Sequence, residues 1–269
     1  MILDQIIKHK RVELARQKEI LPLKELLLRL PASAPSPGRF RKAISRAKKW
    51  GDPIRLIAEI KRASPSKGII CKDFDPLRLA GIYARNGAAA ISVLTESKFF
   101  LGNLKTIAEV KRIVSLPVLR KDFIIDEYQI YESAQAGADA ILLIAACLPK
   151  ETLANFLSIA REVAIDCLIE VHTEEELEKV ISTDVEIIGI NNRNLYTFEV
   201  DLNITSRLKL WIPAGITVVS ESGIRTRRQA KFLEAKGVDA ILVGEALLAS
   251  QDIGGKVREL LGTTNSLSG

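Results

Sequence analysis

The sequence predicts an α/β fold in which eight β/α units close into a (β/α)8 barrel behind an N-terminal helical extension. Three observations predict it. Eight short β-rich apolar runs alternate with segments of helical periodicity from residue 56 onward. The runs begin 20 to 34 residues apart. Several helical segments also end in a glycine that leads into the next run, as in "NGAAAISVL", "AGADAILLI" and "KGVDAILVG", where glycine supplies the left-handed turn past a helix end. Strict alternation implies a parallel sheet with right-handed crossovers. Eight units in about 200 residues suit closure of that sheet. A doubly wound open sheet is the alternative. It usually has a glycine-rich turn after its first strand, and "EIKRASPSKG" is not G-x-G-x-x-G.

Taken in order, residues 2–19 and 23–30 have the pattern of two short amphipathic helices, and "PASAPSP" (31–37) breaks that pattern. The basic stretch "RFRKAISRAKKW" (39–50) predicts a third helix over 39–49. These segments make up the extension, residues 1–50, packed on a barrel over 51–262, with 263–269 as a flexible C-terminal tail. The strands are "LIAEI" (56–60), "AISVL" (90–94), "PVLRK" (117–121), "AILLI" (140–144), "CLIEV" (167–171), "IIGIN" (187–191), "TVVSE" (217–221) and "AILVG" (240–244). Between them lie helices such as 103–114, 127–136, 150–163 and 225–236.

Composition removes several classes of function. The 269 residues are 47% hydrophobic, which suits a packed globular protein. The longest uncharged apolar run, Ala140–Leu148, falls far short of the ~20 residues that cross a bilayer, so no membrane association is expected. The N-terminus lacks the apolar stretch of a signal peptide. The three cysteines, Cys71, Cys147 and Cys167, are widely spaced and odd in number, which points to the cytoplasm rather than to a disulfide framework. The net charge of +6 fits an anionic small-molecule partner. Zinc-finger spacing and ribonucleoprotein motifs are absent, and at 5% aromatic residues the chain is poor in bases' stacking partners, so no nucleic acid is expected.

Barrel active sites lie at the C-terminal ends of the strands, and those ends are unusually polar here. The first carries Glu59 and Lys61, the third Lys121, the fifth Glu170, the sixth Asn191, the seventh Glu221 followed by Ser222 and Gly223. Side chains alternate along a strand, so Ile57, Glu59 and Lys61 share one face: Ile57 would fill the barrel and the two charges would sit at its mouth. Lysines and glutamates around one cavity are the material of acid–base chemistry, because burial and opposite charge shift their proton affinities. The turns "SESGI" (220–224) and "VGEAL" (243–247) place Gly223 and Gly244 after the seventh and eighth strands, where barrels often hold a phosphate on backbone N–H groups. Of the two histidines, His9 is expected to be exposed on the first helix. His172 shares parity with Glu170 and could reach the mouth. Histidines and cysteines so scattered form no recognisable metal site.

With these features in place, the sequence resembles the indole-3-glycerol phosphate synthase family of tryptophan biosynthesis over nearly its whole length. The resemblance rests on "EIKRASPSKG" (59–68), "LTESKFFLGN" (94–103), "LRKDFIIDEYQI" (119–130), "GADAILLI" (137–144), "LIEVHTEEEL" (168–177), "GINNRNL" (189–195), "VSESGI" (219–224) and "LVGEALL" (242–248). It implies a TIM barrel that decarboxylates and dehydrates 1-(2-carboxyphenylamino)-1-deoxyribulose 5-phosphate with no cofactor and no metal. It further implies Lys121 as general acid, Glu170 as general base, and Lys61 on the substrate carboxylate with a second role as acid in dehydration. Glu59 and Asn191 would position these groups, and Ser64, Arg193, Glu221 and Ser222 would bind substrate. Phe100, Phe123, Leu142 and Leu195 would wall the anthranilate ring. Ser222, Gly223, Gly244 and the Glu245 backbone would cradle the phosphate, although the family includes members with serine where this chain has Glu245. A monomer is implied, with association among tryptophan-pathway enzymes as a further possibility. Another phosphosugar barrel, such as phosphoribosylanthranilate isomerase, would share the phosphate site. A nucleic-acid-binding barrel would use the basic 39–49 segment, which otherwise could guide an anionic substrate.

Overall fold

Alternating side chains decide which residues meet inside a closed sheet, and here the odd or even parity of each run is kept through all eight strands. The computed structural model describes residues 2–31, 36–47, 52–71, 73–194, 197 and 199–263. Its strands, in order, are Arg55–Ile60, Ala90–Leu94, Val118–Lys121, Ala140–Ile144, Asp166–Val171, Ile187–Asn191, Thr217–Glu221 and Ala240–Val243. Each pairs in parallel with its sequence neighbours, and the first closes on the eighth through Leu56 opposite Ile241 and Ala58 opposite Val243. Ile57, Ala90, Leu119, Ala140, Leu142, Leu168, Ile187, Val219, Ala240 and Leu242 fill the interior. The opposite parity, including Leu56, Ile91, Ile141, Ile169 and Ile241, packs outward against the helices.

The expected helices are present and their caps explain their limits. They include α1 (Ile2–Ile20), α2 (Leu23–Leu28), α3 (Arg39–Ile44), α4 (Pro76–Arg85), α5 (Lys105–Ile113), α6 (Glu127–Gln135), α7 (Lys150–Glu162) and α8 (Glu174–Ile181). The rest are α9 (Asn203–Leu208), α10 (Arg227–Ala235), α11 (Glu245–Leu248) and α12 (Ile253–Leu261). Asp75 opens α4 by accepting from the N–H groups of Leu77 and Arg78, and Thr226 with Gln229 forms a capping box on α10. Gly87, Gly137 and Gly237, the glycines leading into the next strand, all adopt positive φ.

Two helices of the extension are shorter than the sequence predicts. In α2 the Arg29 N–H turns back to Leu26 O, so the helix ends at Leu28 rather than at residue 30. In α3 the Ser45 hydroxyl bonds Arg41 O and Thr217 Oγ1, and Ser45 is extended, so the helix ends at Ile44 rather than at residue 49. Residues 48–49 of that expected helix lie outside the described residues, as do 264–269 of the expected tail.

The extension clasps both ends of the barrel. Helix α3 plugs the bottom with Phe40 and Ile44, both fully buried against the interior side chains. Its basic residues meet acids at the strand starts: Arg39 pairs with Asp139 at 2.7 Å and the Arg41 amide donates to Asp166 at 2.9 Å. The described part of the basic stretch, residues 39–47, therefore lies at the end remote from the mouth and its arginines are matched, which speaks against the open reading in which it guides an anion. Helix α1 crosses the top, anchored by Lys10 on Asp122 (3.0 Å) and Lys18 on Asp126 (2.7 Å).

Candidate active site

At the top, the same parity that builds the core carries polar groups into one cavity of about 230 Å³. Ile57 is followed on its face by Glu59 and Lys61, Leu119 by Lys121 and Phe123, Leu168 by Glu170, and Val219 by Glu221. The cavity is lined by Glu59, Lys61, Ser64, Phe100, Lys121, Phe123, Leu142, Glu170, Asn191, Arg193, Glu221, Ser222, Gly223, Gly244 and Glu245. Every one of these positions is singled out by the sequence. Leu195 lies outside the described residues.

Lys121 is the hub. Its ammonium lies 2.8 Å from Glu221 Oε2 and 3.3 Å from Glu170 Oε2. Burial opposes its charge, but the carboxylates of Glu221, Glu170 and Glu59 outweigh burial and push its pKa up, so the site holds an ammonium at neutral pH. Those carboxylates differ from one another. Burial would raise Glu170, yet Lys121, His172 and a hydrogen bond from Asn191 hold it below the usual carboxylate range. Glu221 is pushed up to about 7 by burial and by the nearby negative charge of Glu170 and Glu59, against the pull of Lys121. Its Oε1 is buried without a hydrogen-bond partner. Lys61 pairs with Glu59 at 2.5 Å.

Two glycines make room for these acids. A Cβ on Gly189 would lie 2.3 Å from Glu221 Oε1, and one on Gly244 would lie 2.3 Å from Glu59 Oε1. Gly244 has an ordinary negative φ of −126°, so its first consequence is space for the Glu59 carboxylate. Gly223 is the turn glycine, at φ 81°, and Ser222 before it also has positive φ, 67°. A non-glycine residue there is strained. Buried Asn192 holds it, donating to Glu221 O at 2.8 Å and Ser222 O at 3.2 Å, and accepting from the Thr205 hydroxyl at 2.8 Å.

The rim beside this turn is cationic. Glu245 accepts from Lys67 at 2.6 Å and from Arg225 at 2.8 Å, with Arg193 at 3.7 Å. Burial opposes its ionisation, but these cations outweigh it and lower its pKa. Lys67 reaches over from a small antiparallel hairpin, Ala63–Ser64 with Gly68–Ile69, that folds the first loop back on itself. On the other side of the cavity the surface is apolar. Phe100 and Phe123 lie with ring centroids 6.2 Å apart, and Leu142 joins them.

The cavity sits on a family pattern. A model described as "Indole-3-glycerol phosphate synthase" matches residues 3–260. The chain belongs to the indole-3-glycerol phosphate synthase family. Membership makes it a carboxy-lyase of tryptophan biosynthesis. A relative of that name from Dehalococcoides mccartyi (strain CBDB1) is 54% identical over 97% of this chain and 100% of its own. One from Alkaliphilus metalliredigens is 46% identical over 97% of this chain and 98% of its own. Among solved structures, 3-hexulose-6-phosphate synthase superposes with a TM-score of 0.63 at 18% identity, covering 78% of this chain and 99% of that one. A tryptophan synthase alpha-subunit from Pyrococcus furiosus gives 0.59 at 20% identity, covering 77% and 98%. At such identities these two show the barrel alone.

Within this synthase-family barrel, sequence reasoning missed several residues at the cavity. Ile2, Leu3 and Ile6 of α1 line it, so the extension contributes to the site. The amphipathic start of α1 was the available signal. Arg225 and Asp122 line it too. His9, expected to be exposed, is only 30% exposed at its side chain. It faces Glu96 at 3.9 Å and meets the edge of Phe99, because α1 lies against the loop after the second strand, where Ser97 donates to Glu13. His172 does not line the cavity; it stands behind Glu170, 3.4 Å from Oε1. Among the described residues, no cluster of three or more His, Cys, Asp and Glu side chains could hold a metal, and no helix is long and apolar enough to cross a membrane.

Proposed function

We propose that this chain closes the indole ring of indole-3-glycerol phosphate from 1-(2-carboxyphenylamino)-1-deoxyribulose 5-phosphate by general acid–base catalysis. The observation that carries the reading is the Lys121 ammonium, buried among Glu59, Glu170 and Glu221 and flanked by an apolar wall on one side and a cationic rim on the other. The anthranilate ring packs against Phe100, Phe123 and Leu142, and its carboxylate faces Lys61. The phosphate rests on the Ser222–Gly223 turn and the Gly244–Glu245 backbone, with Arg193 beside it.

In this pose Lys121 gives a proton to the ketone oxygen as the ring carbon bearing the carboxylate attacks the ketone carbon. The anilino nitrogen supplies the electrons and becomes an iminium. Carbon dioxide then departs and its bonding pair restores the aromatic ring. Loss of the new hydroxyl as water follows, with Lys61 protonating the departing hydroxyl and Glu170 accepting the carbon-bound proton whose removal completes the indole. Glu59 and Asn191 hold Lys61 and Glu170 in place. Glu221, whose carboxyl is raised to about 7, lies 2.8 Å from Lys121 and can return the proton that Lys121 gives up. The free thiols of Cys71, Cys147 and Cys167 support a cytoplasmic setting. We take the working unit to be the monomer, since one barrel holds the whole cavity.

The test is direct. The synthetic carboxyphenylamino-deoxyribulose phosphate is supplied to folded, metal-free protein and indole fluorescence is followed. Absence of turnover overturns the reading.

A further inference from the structure

Both oxygens of Glu170 are engaged. Oε2 faces Lys121, and Oε1 lies 3.4 Å from His172 Nε2, a contact of charge rather than a hydrogen bond, since Nε2 is buried without a hydrogen-bond partner. The other ring nitrogen, Nδ1, lies 3.2 Å from Glu176 Oε2, and that oxygen also accepts the His172 backbone N–H at 2.7 Å. A row of alternating charge thus runs from Lys121 through Glu170 and His172 to Glu176 in the first turn of α8. The His172 side chain is 9% exposed and that of Glu176 17%.

A neutral imidazole donates from one nitrogen and offers a lone pair at the other. Here a carboxylate faces each nitrogen, so a neutral ring would point its lone pair at a negative charge. Only the imidazolium matches both sides. We propose that His172 is a positioning residue for the reaction, an imidazolium clamped between Glu170 and Glu176 that fixes the Glu170 carboxylate toward Lys121 and keeps it ionised between turnovers. This rests on the assignment of Glu170 as general base.

The surroundings agree. Around the ring stand Glu170 on its own strand, Glu176 from α8 and, farther off, Glu221 from the seventh strand. Cys147, on the short turn after the fourth strand, faces Glu170, Glu176, Lys179 and Asp4 of α1, and its thiol is pushed up to about 12 by burial first and then by those acids. The Lys179 ammonium is bonded to the carbonyls of Ala145 and Leu148. Burial opposes a charged imidazole, but Glu176 and Glu170 outweigh it and raise its pKa. Glu221 provides an internal comparison. It shares Lys121 with Glu170 but, among the described residues, has no imidazole within ion-pair distance, and its carboxyl is the one raised to about 7.

The chain has only two histidines, so ¹⁵N-imidazole spectra are readily assigned with a His9→Gln variant. His172 is expected to carry protons on both nitrogens at pH 7 and to titrate above the ordinary histidine value of about 6.5. Its midpoint should fall in Glu176→Gln. A neutral His172 at pH 7 overturns the proposal, and this arm needs no substrate. In turnover, His172→Gln keeps a donor beside Glu170 without the charge. Its acid limb of kcat should move up by about one pH unit, the size of shift that removing one nearby charge gives, while KM at pH 8 stays within about twofold. Glu176→Gln should give a smaller shift in the same direction, and His9→Gln none. An acid limb unmoved in both His172→Gln and Glu176→Gln overturns the proposal. Absence of turnover by the unmodified protein instead overturns the assigned reaction and leaves the spectra to decide the charge of His172.

Discussion

The two ends of this barrel use the same residue types to opposite purposes. At the bottom, Asp139 Oδ1 accepts from Arg39 at 2.7 Å, while Oδ2 accepts from Lys111 at 2.5 Å and the Val118 amide at 2.8 Å. Asp239 accepts from the amides of Arg46 and Val218. At the top, Glu221 is equally buried, yet its Oε1 has no partner and its neighbours Glu59 and Glu170 are also acidic. A buried carboxylate with every lone pair matched locks strands and helices together. One left partly unmatched is costly to ionise and so exchanges protons near neutral pH. The difference between Asp139 and Glu221 lies in how completely donors satisfy the acid.

That contrast breaks most visibly at its hubs. Lys121→Ala should lower kcat by roughly a hundredfold or more, the scale of losing a general acid, while circular dichroism and melting show a folded barrel. Near-normal turnover would remove Lys121 from its role. The mirror experiment is Asp139→Ala. It strands a strand-starting amide and two cations, with an expected loss of about 2–3 kcal/mol in chemical denaturation. Below the melting transition kcat should be unchanged. A large fall in kcat in the folded variant would show that the two ends are not separable.

Glu221 tests the contrast through pH. Its folded-state pKa is raised, from an ordinary carboxylate value to about 7. The folded protein therefore holds this proton more tightly than the unfolded chain. The group's stabilising contribution is complete below pH about 4.5 and is lost as pH rises through about 7. Glu221→Gln keeps the shape without the ionisation. It should melt higher than the unmodified protein at pH 8, differ little at pH 5, and lose activity at both. Equal melting shifts at the two pH values would show that Glu221 is not paying for its position in protons.

The barrel was legible because hydrophobic period, glycine caps and strand spacing all report local geometry. The ring of Glu59, Lys61, Lys121, Glu170, Asn191 and Glu221 was legible for the same reason, since parity along each strand carries the interior upward to the mouth. What escaped depends on contacts between distant segments. The amphipathic start of α1 marks an apolar face, but only tertiary packing delivers Ile2, Leu3 and Ile6 of that face to the cavity. No local pattern shows that Gly244 is small to admit Glu59, or that the basic 39–47 stretch closes the opposite end. The role of His172 is likewise set by Glu176, which reaches it from the next helix.

The smallest expected effect concerns the cationic rim, where the top of the barrel behaves most like the bottom. Glu245 matches Lys67 and Arg225 as closely as Asp139 matches its partners, but at an exposed edge: the Lys67 and Arg225 side chains are 49% and 65% exposed. Such pairs are weak and screened by salt, so a phosphate dianion can compete for them. If the carboxylate competes with the phosphate, Glu245→Ser should free two cations and lower KM for the phosphorylated substrate by about two- to fivefold at low ionic strength, a gain that shrinks as salt is added. If the carboxylate instead holds Lys67 and its hairpin over the mouth, the same variant should raise KM, and Lys67→Ala should raise it too. Measuring both variants at two salt concentrations separates competition from organisation, because only competition makes the two substitutions move KM in opposite directions.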